Sequence, residues 1–119
     1  MSKSGPIIIA HRGASGYLPE HSLESKAMAH AMGADFLEQD VVLTSDGVPI
    51  VLHDIHLDST TDVARLFPGR AREDGRYYAL DFNLQEIKAL SLHERSFTND
   101  SGEEQAFYPR RFPLDQGSF

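Results

Sequence analysis

Short apolar runs separated by polar loops mark the first half of the chain. Residues 7–10 form an isoleucine-rich run, residues 36–43 form a second run that contains two acids, and residues 48–53 form a third. Short runs of β-branched and other apolar residues bounded by turn signals are typical of buried strands. The pattern therefore predicts three strands, the first of them buried on both faces.

Two stretches of the chain favour helices. Ser22 is a good N-cap and Gly33 a natural stop, so we expect a first helix between them. Asn83 and Glu86 form a capping-box pattern that begins a second helix. The predicted apolar faces are Leu23, Ala27, Met28 and Ala31 on the first helix and Leu84, Ile87 and Leu90 on the second, while Lys26 and His30 are expected to face solvent.

The segment between the third strand and the second helix, residues 54–82, is polar and irregular. Its simplest interpretation is a solvated loop with local ion pairs, each of which adds little stability. The charges that cancel there are those of Arg65, Arg70, Arg72 and Arg76 against those of Asp62, Glu73, Asp74 and Asp81.

Two carboxylates interrupt the second apolar run. Glu38 and Asp40 stand two residues apart, so in a strand they point to the same face. Unpaired charges on a buried face repel each other and are costly to desolvate, and a bound cation would relieve both costs. A polar sheet face, or an ion pair with a nearby arginine, would also explain the pair, so this stretch alone leaves the alternatives open.

A histidine follows each of the flanking strands, His11 after the first and His53 after the third. Asp46-Gly47 is a strong hairpin signal between the second and third strands. If these two residues form the whole loop, the register sets Asp40 opposite His53, with Cβ atoms ~5 Å apart. The sequence therefore predicts a histidine beside the carboxylate pair.

Several segments in this order and spacing resemble glycerophosphodiester phosphodiesterases, and the bacterial periplasmic branch in particular. They are His11-Arg12-Gly13-Ala14, Pro19-Glu20, Glu38-Gln39-Asp40 and His53-Asp54, supported by the run from Ser15 to His21. The resemblance implies an α/β fold, the N-terminal part of a TIM-type (β/α)8 barrel of the phospholipase C-like phosphodiesterase kind. Residues 1–53 would supply the first strands and helix of the barrel. Residues 54–119 would be an insertion region over the active-site end of the same domain.

The resemblance also implies roles for individual residues and a cofactor. Carboxylate ligands suit hard cations, so the expected cofactor is Ca²⁺ or Mg²⁺. Histidines titrate near neutrality and suit general acid–base catalysis, and a guanidinium can bind phosphate with two hydrogen bonds. The implied set is catalytic His11 and His53, phosphate-binding Arg12, metal ligands Glu38 and Asp40, with Glu20 near the site and Asp54 orienting His53.

The length of the chain and one motif depart from this family. A (β/α)8 barrel typically takes ~250 residues, so we expect the 119 residues to be an N-terminal portion without the C-terminal part of the barrel. The resemblance would put a third metal-binding glutamate beyond residue 119. Much of the family reads Pro-Glu-Asn-Thr where this chain has Pro19-Glu20-His21-Ser22; His21 is open to a capping or a local hydrogen-bonding role.

The composition of the chain limits which classes of partner we expect it to bind. The chain is 40% hydrophobic and 24% charged, with a net charge of −7 and no cysteine. No basic stripe is present, so we expect no nucleic-acid partner, and no apolar run approaches the ~20 residues of a membrane span. Residues 1–5 lack the apolar core of a signal peptide. The resemblance favours a periplasmic location, with the cytoplasm as the alternative.

The expected activity is metal-dependent hydrolysis of a small glycerophosphodiester, such as glycerophosphocholine, to glycerol 3-phosphate and an alcohol. A related phospholipase acting on lysophospholipids or sphingomyelin is the alternative within the same fold group. A chain that is an inactive truncated piece of such an enzyme is the non-enzymatic alternative. A reading frame that continues past Phe119 into a strand ending in an acidic residue would decide whether the chain is such a piece.

Overall fold

The computed structural model describes residues 4–98, 101–102 and 104–106. Short strands and helices alternate along the chain, with long loops between them. In chain order they are β1 (Ile9–Ala10), α1 (Leu23–Ala31), β2 (Phe36–Leu37), β3 (Val41–Leu43), β4 (Pro49–Val51), α2 (Val63–Leu66), a 3₁₀ turn (Ala79–Asp81), α3 (Leu84–Lys88), β5 (Ser96–Thr98) and β6 (Glu104–Ala106).

Strands β1 and β2 lie side by side in parallel and are joined through α1. Ile9 pairs with Phe36, and Ala10 pairs with Leu37. The predictions that the first strand is buried on both faces and that the second is buried are wrong for the described chain, because Ile9 is 60% exposed and Phe36 59% exposed. The sheet has only these two strands within the described residues, so its outer edges and one face remain uncovered.

The predicted single strand over residues 36–43 is broken in the middle. Glu38 donates its backbone N–H to the carbonyl of Ala10, whereas Asp40 accepts at its carbonyl from the N–H of Leu52. The chain therefore leaves the parallel sheet and enters the hairpin within residues 38–40. This break explains how a strand of a parallel sheet can be followed directly by an antiparallel hairpin.

The hairpin of β3 and β4 forms as predicted, but its register differs by one residue. Val41 pairs with Val51, which sets Asp40 opposite Leu52 rather than opposite His53. The loop has three residues, since the N–H of Thr44 donates to the carbonyl of Val48. Gly47 has φ of 76° but Asp46 does not have positive φ, so the type I′ turn typical of Asp-Gly, which needs positive φ at both positions, does not form. Asp46 instead accepts hydrogen bonds at its carboxylate from the Thr44 hydroxyl (2.5 Å) and the Leu84 N–H (3.2 Å).

Helix α1 begins and ends where the sequence predicts, but a different face is buried. Ser22 caps the helix by accepting from the N–H of Ser25 at 3.1 Å, and Gly33 follows its last turn. The buried residues are Ser25 and Ala29, whereas Leu23 is 61% exposed. The small residues are buried because the loop after β1 packs directly on this side of the helix.

The main apolar core includes residues of the segment that the sequence predicts to be solvated, together with Ile87 and Leu90 of the predicted apolar face of the second helix. Its residues come from β4, α2, α3 and the turns between them, so no single period along the sequence reveals it. The predicted capping box of α3 is confirmed, and ion pairs do join the arginines of this segment to acids on its surface. The fully buried members are Leu57, Val63, Phe82, Ile87 and Leu90.

Residues on both sides of the predicted boundary at residue 53 share this core. Ile50 and Leu52 precede the boundary and pack in the same cluster as Leu57. The assignment of residues 54–119 as an insertion stays a prediction, since residues 99–100, 103 and 107–119 lie outside the described part. Strands β5 and β6 form a further antiparallel pair. No described helix has the length and apolar character needed to cross a bilayer.

Candidate active site

The loop from residue 11 to residue 22 builds one wall of the site. It carries two non-glycine residues in the left-handed conformation, Arg12 at φ 62° and His21 at φ 60°. The N–H of His21 donates to the carbonyl of Arg12 at 2.9 Å, which closes the loop on itself. The N–H of Arg12 in turn donates to the carboxylate of Glu38 at 3.0 Å. The loop is therefore anchored to the acidic segment at the end of β2.

Glycine is required within this loop where it touches α1. Gly13 has φ of 88°, and a Cβ there would meet the hydroxyl of Ser25 and lie 3.0 Å from its backbone carbon. The N–H of Ala14 donates to the carbonyl of Ser25 at 3.0 Å, and the Ser25 hydroxyl donates to the carbonyl of Arg12 at 3.3 Å. This close packing sets the position of Arg12.

Three side chains converge into a group with the chemistry of a cation site. His21, Glu38 and Asp40 each present one ligand atom, and these atoms lie within 4.8 Å of one another. Ligands held at ~2.0–2.6 Å from one hard cation can be that far apart, so the spacing fits a single ion. The two carboxylates meet although the strand breaks between them.

His21 is the buried member of this cation cluster (His21, Glu38 and Asp40). Its Nε2 makes a 2.9 Å hydrogen bond with Oδ2 of Asp40, while its Nδ1 is buried without a partner among the described residues. Burial lowers the pKa of His21, and the Asp40 hydrogen bond opposes this only in part. The hydrogen bond from His21 lowers the pKa of Asp40, with smaller contributions from the charges of His21, His53 and Arg12. Asp40 is therefore ionised at neutral pH, as a cation ligand must be.

Lys26 lies beside this cluster, although the sequence places it toward solvent. Its ammonium donates to the backbone carbonyl of Glu38. Burial lowers the pKa of Lys26, while the charges of Glu38 and Asp40 act in the opposite direction. Helix α1 therefore turns Lys26, and not its predicted apolar residues, toward the end of β2.

Arg12 lies between the cation cluster and a second group of charges. Its Nη1 donates to both carboxylate oxygens of Glu20, at 3.2 and 3.3 Å. Its Nε lies 4.0 Å from Oδ2 of Asp40 and is buried with no hydrogen-bond partner among the described residues. A guanidinium with an unsatisfied donor next to a cation cluster is suited to an anionic ligand.

A chain of ion pairs connects Glu20 to His53 through Arg95. Arg95 donates to Glu20 from Nη2 at 2.6 Å and from Nε at 3.1 Å, and to Asp54 from Nη1 at 2.6 Å. Asp54 makes a 2.7 Å hydrogen bond with Nδ1 of His53. Burial alone would raise the pKa of Glu20 and of Asp54, but both pKa values are lowered, by Arg95 and Arg12 at Glu20 and by Arg95 and His53 at Asp54. The same carboxylates raise the pKa of Arg95.

The structure therefore brings most of the predicted site residues into one region but leaves His11 to one side. His11 is exposed directly after β1, and within residues 4–98 its side chain makes no hydrogen bond to the cation cluster. It lines a separate apolar cavity of about 360 Å³ with Tyr17 and Met32. The residues brought together are Arg12, Glu20, Glu38, Asp40, His53 and Asp54.

Sequence reasoning missed three members of this region. The sequence indicates only a capping or local hydrogen-bonding role for His21, predicts that Lys26 faces solvent, and gives no signal for Arg95. Only His21 lies in a segment that carries the family resemblance. Arg95 is 75 residues from Glu20 in the chain, so no local pattern connects them.

Comparison with known proteins identifies the group to which these features belong. The model of the glycerophosphoryl diester phosphodiesterase family matches residues 11–117. A glycerophosphodiester phosphodiesterase of Haemophilus influenzae is 57% identical over 117 residues, which is 98% of this chain and 32% of the relative. The chain thus spans about a third of the length of the curated relatives that it matches.

Solved structures agree with the predicted fold. A glycerophosphodiester phosphodiesterase from Agrobacterium tumefaciens superposes with a TM-score of 0.59 at 32% identity, over 72% of this chain and 32% of the other. An Oleispira antarctica phosphodiesterase, solved in complex with the product sn-glycerol-3-phosphate, gives a TM-score of 0.55 at 36% identity, over 71% and 30%. The described residues are therefore part of an α/β TIM-type barrel, as predicted.

Proposed function

Because the chain belongs to the glycerophosphoryl diester phosphodiesterase family, we propose that it supplies catalytic groups for hydrolysis of glycerophosphodiesters to glycerol 3-phosphate and an alcohol. The observation that carries the proposal is the cation cluster next to the unsatisfied Nε of Arg12. A phosphodiester needs its anionic oxygens neutralised and its leaving oxygen protonated. The product bound to the Oleispira antarctica relative belongs to the same substrate class.

The proposed cofactor is a single divalent cation, Ca²⁺ or Mg²⁺, held by Glu38 and Asp40. Oxygen ligands favour these ions over zinc, and Asp40 is already ionised by its contact with His21. When bound, such an ion acts as a Lewis acid on a phosphoryl oxygen. His21 lies close enough to contribute a nitrogen or to hold Asp40 in place.

The proposed roles of the other residues follow from their hydrogen bonds. Arg12 binds a phosphoryl oxygen through its guanidinium, whose side chain is 17% exposed and which lies beside Asp40 of the cation cluster. Nδ1 of His53 faces a carboxylate, which only accepts, so Nδ1 carries a proton and Nε2 is left to exchange one with substrate. His11, which is exposed and directly precedes Arg12, is the second proposed acid–base group.

Release of glycerol 3-phosphate from glycerophosphocholine tests the proposal. The protein, expressed as its gene encodes it, is assayed with millimolar Ca²⁺ or Mg²⁺ and again after chelation. Glu38→Gln should lower kcat/KM by more than the ~10–100-fold loss typical of groups that only support a metal ligand. Glu73→Gln makes the same change at an exposed carboxylate and should have little effect. Turnover that survives both chelation and Glu38→Gln would contradict the proposal.

We propose a periplasmic location on the family resemblance alone. Osmotic-shock fractionation of the native host, with an antibody to residues 54–98, measures it directly. Recovery of the protein in the periplasmic fraction is expected. Recovery with cytoplasmic markers would contradict it.

A further inference from the structure

Arg95 is the most highly connected charge in the described part of the chain that has no role in the proposed chemistry. It joins Glu20, from the loop after β1, to Asp54, from the loop after β4. The first loop also carries Arg12, and the second also carries His53. Glu20 and Asp54 are 34 residues apart in the sequence. Arg95 therefore bridges the two halves of the proposed site from a third segment of the chain.

We propose that Arg95 is a positioning residue that holds Arg12 and His53 in their working orientations through Glu20 and Asp54. The activity part of this proposal rests on the proposed phosphodiesterase function. The bridge (Arg12–Glu20–Arg95–Asp54–His53) consists of hydrogen bonds of 2.6–3.3 Å throughout.

The guanidinium of Arg95 fixes Glu20 through its planar shape. It meets both carboxylate oxygens, through Nη2 and Nε, in the paired arrangement that a single ammonium cannot reproduce. Glu20 has a side chain only 11% exposed and presents the same two oxygens to Nη1 of Arg12. The orientation of Arg12 is therefore tied to that of Arg95.

The contact with Asp54 acts on His53 in the same way. Asp54 accepts a hydrogen bond at Oδ2 from Arg95 and one at Oδ1 from Nδ1 of His53, so both of its oxygens are occupied. With Arg95 in place, Asp54 cannot rotate away from the imidazole without losing a 2.6 Å ion pair. The bridge thus holds His53 in the tautomer that leaves Nε2 free.

The competing interpretation is that Arg95 contacts the substrate directly. The hydrogen bonds of Arg95 instead favour a role in positioning Arg12 and His53. All three nitrogens of the guanidinium already donate to carboxylates, and the side chain is 22% exposed. Arg12, by contrast, bonds to Glu20 through Nη1 and lies beside Asp40 of the cation cluster. Arg12 is therefore the guanidinium placed for the phosphate.

Arg95→Ala in the protein as its gene encodes it tests the proposal, with Arg72→Ala as the matched control. Arg72 forms an equivalent pair with Asp81, through two hydrogen bonds of 2.7 Å, in a surface loop. We expect Arg95→Ala to lower kcat by about 10–100-fold, the usual effect of a group that orients a working residue, and Arg72→Ala to change it less than about twofold. Arg95→Lys keeps the charge without the fork and should remain impaired. Millimolar methylguanidine should restore part of the kcat of Arg95→Ala, and it should not raise the kcat of Arg95→Lys or Arg72→Ala.

A second measurement reads the position of His53 without relying on turnover. In ¹⁵N-labelled protein, the ring signals of His53 should show a proton fixed on Nδ1 in wild type and in Arg72→Ala. In Arg95→Ala and Arg95→Lys they should move toward an average of the two tautomers. Unchanged His53 signals in both Arg95 variants would overturn the proposal. If wild type has no phosphodiesterase activity while these shifts occur, the proposed function fails and the positioning role stands.

Discussion

Asp40 organises the site at the scale of single residues through contacts of three kinds. Its carboxylate bonds to the buried His21, lies 4.0 Å from Arg12, and its backbone carbonyl receives the N–H of Leu52. The first two contacts favour the ionised carboxylate, and the third fixes the backbone where β2 gives way to the hairpin. Asp40 is consequently held as an anion in a defined place, which is what binding of a hard cation requires.

Asp40→Asn should therefore weaken binding of Ca²⁺ or Mg²⁺ by about tenfold or more, because it removes a charged ligand from the cluster. Isothermal titration calorimetry of wild type and variant measures the change. Asp74→Asn removes a charge in an exposed loop, where Asp74 bonds to Tyr78, and is the matched control. Equal affinities in wild type and Asp40→Asn would remove Asp40 from the metal site.

His11→Ala and His53→Ala should each lower kcat by ~10²–10⁴-fold, the range for a lost proton-transfer group. KM for glycerophosphocholine should change much less, because Arg12 and the cation cluster remain. Steady-state kinetics on both variants, with His30→Ala as a control at an exposed histidine of α1, provides the comparison. A variant that keeps near wild-type turnover would exclude that histidine as an acid or base.

The site residues that the structure brings together were indicated by short segments of the sequence, and their roles stay predictions. Glu38 and Asp40 were indicated by an acid pair inside an apolar run, and Arg12 by the resemblance of the segment that contains it. His21 and Arg95 were not found, because their contacts depend on a loop that folds back through left-handed backbone and on a segment far along the chain. Neither feature leaves a periodic signal in the sequence.

The loop of residues 11–22 is the element that sets the geometry of the site. It is fastened to α1 by the backbone of Ala14 and the hydroxyl of Ser25, and to the end of β2 by the N–H of Arg12. Its position depends on how closely it approaches the helix. Gly13, which has no Cβ to strike Ser25, permits that approach.

Gly13→Ala should destabilise the fold by about 1–3 kcal/mol, because it adds left-handed strain and a clash with Ser25. Gly16→Ala lies in the same loop, has no heavy atom within 4 Å of the added Cβ and is the control. Urea unfolding followed by circular dichroism measures both. A Gly13→Ala variant as stable as Gly16→Ala would show that this contact does not hold the loop.

At the level of secondary structure, the sequence predicted which helices and strands form better than it predicted how the strands pair. Helices α1 and α3, their caps and the hairpin were predicted from local signals, whereas the short helix α2 lies in the segment predicted to be irregular. The hairpin register was wrong because Asp46 uses its side chain to stabilise a three-residue loop. The single strand over residues 36–43 was wrong because its two halves bond to different partners, which depends on tertiary contacts.

The whole molecule places its apolar residues unevenly. The core between residues 50 and 90 is closed, with Leu57 and Phe82 fully buried. The parallel sheet of β1 and β2 instead exposes Ile9 and Phe36, which are register partners. Adjacent exposed apolar side chains of this kind are typical of surfaces that other protein elements cover.

The 119-residue chain alone should therefore bind the dye 8-anilinonaphthalene-1-sulfonate through this sheet. Ile9→Ser combined with Phe36→Ser should lower the dye fluorescence more than Leu80→Ser, since Leu80 is exposed to a similar degree in another region. Fluorescence titration at matched protein concentration distinguishes them. Equal loss in the two variants would show that the sheet is not the main apolar surface.

A chimera tests most directly whether this chain carries working phosphodiesterase groups. Residues of this chain replace the matching 117-residue segment of the Haemophilus influenzae relative, which is 57% identical to it. Metal-dependent release of glycerol 3-phosphate from glycerophosphocholine is then measured for the chimera and for its Glu38→Gln form. We expect the turnover of the chimera to lie within about tenfold of that of the relative. Glu38→Gln should lower this turnover by more than the ~10–100-fold loss typical of groups that only support a metal ligand. A folded chimera that binds the cation but releases no glycerol 3-phosphate would contradict the account.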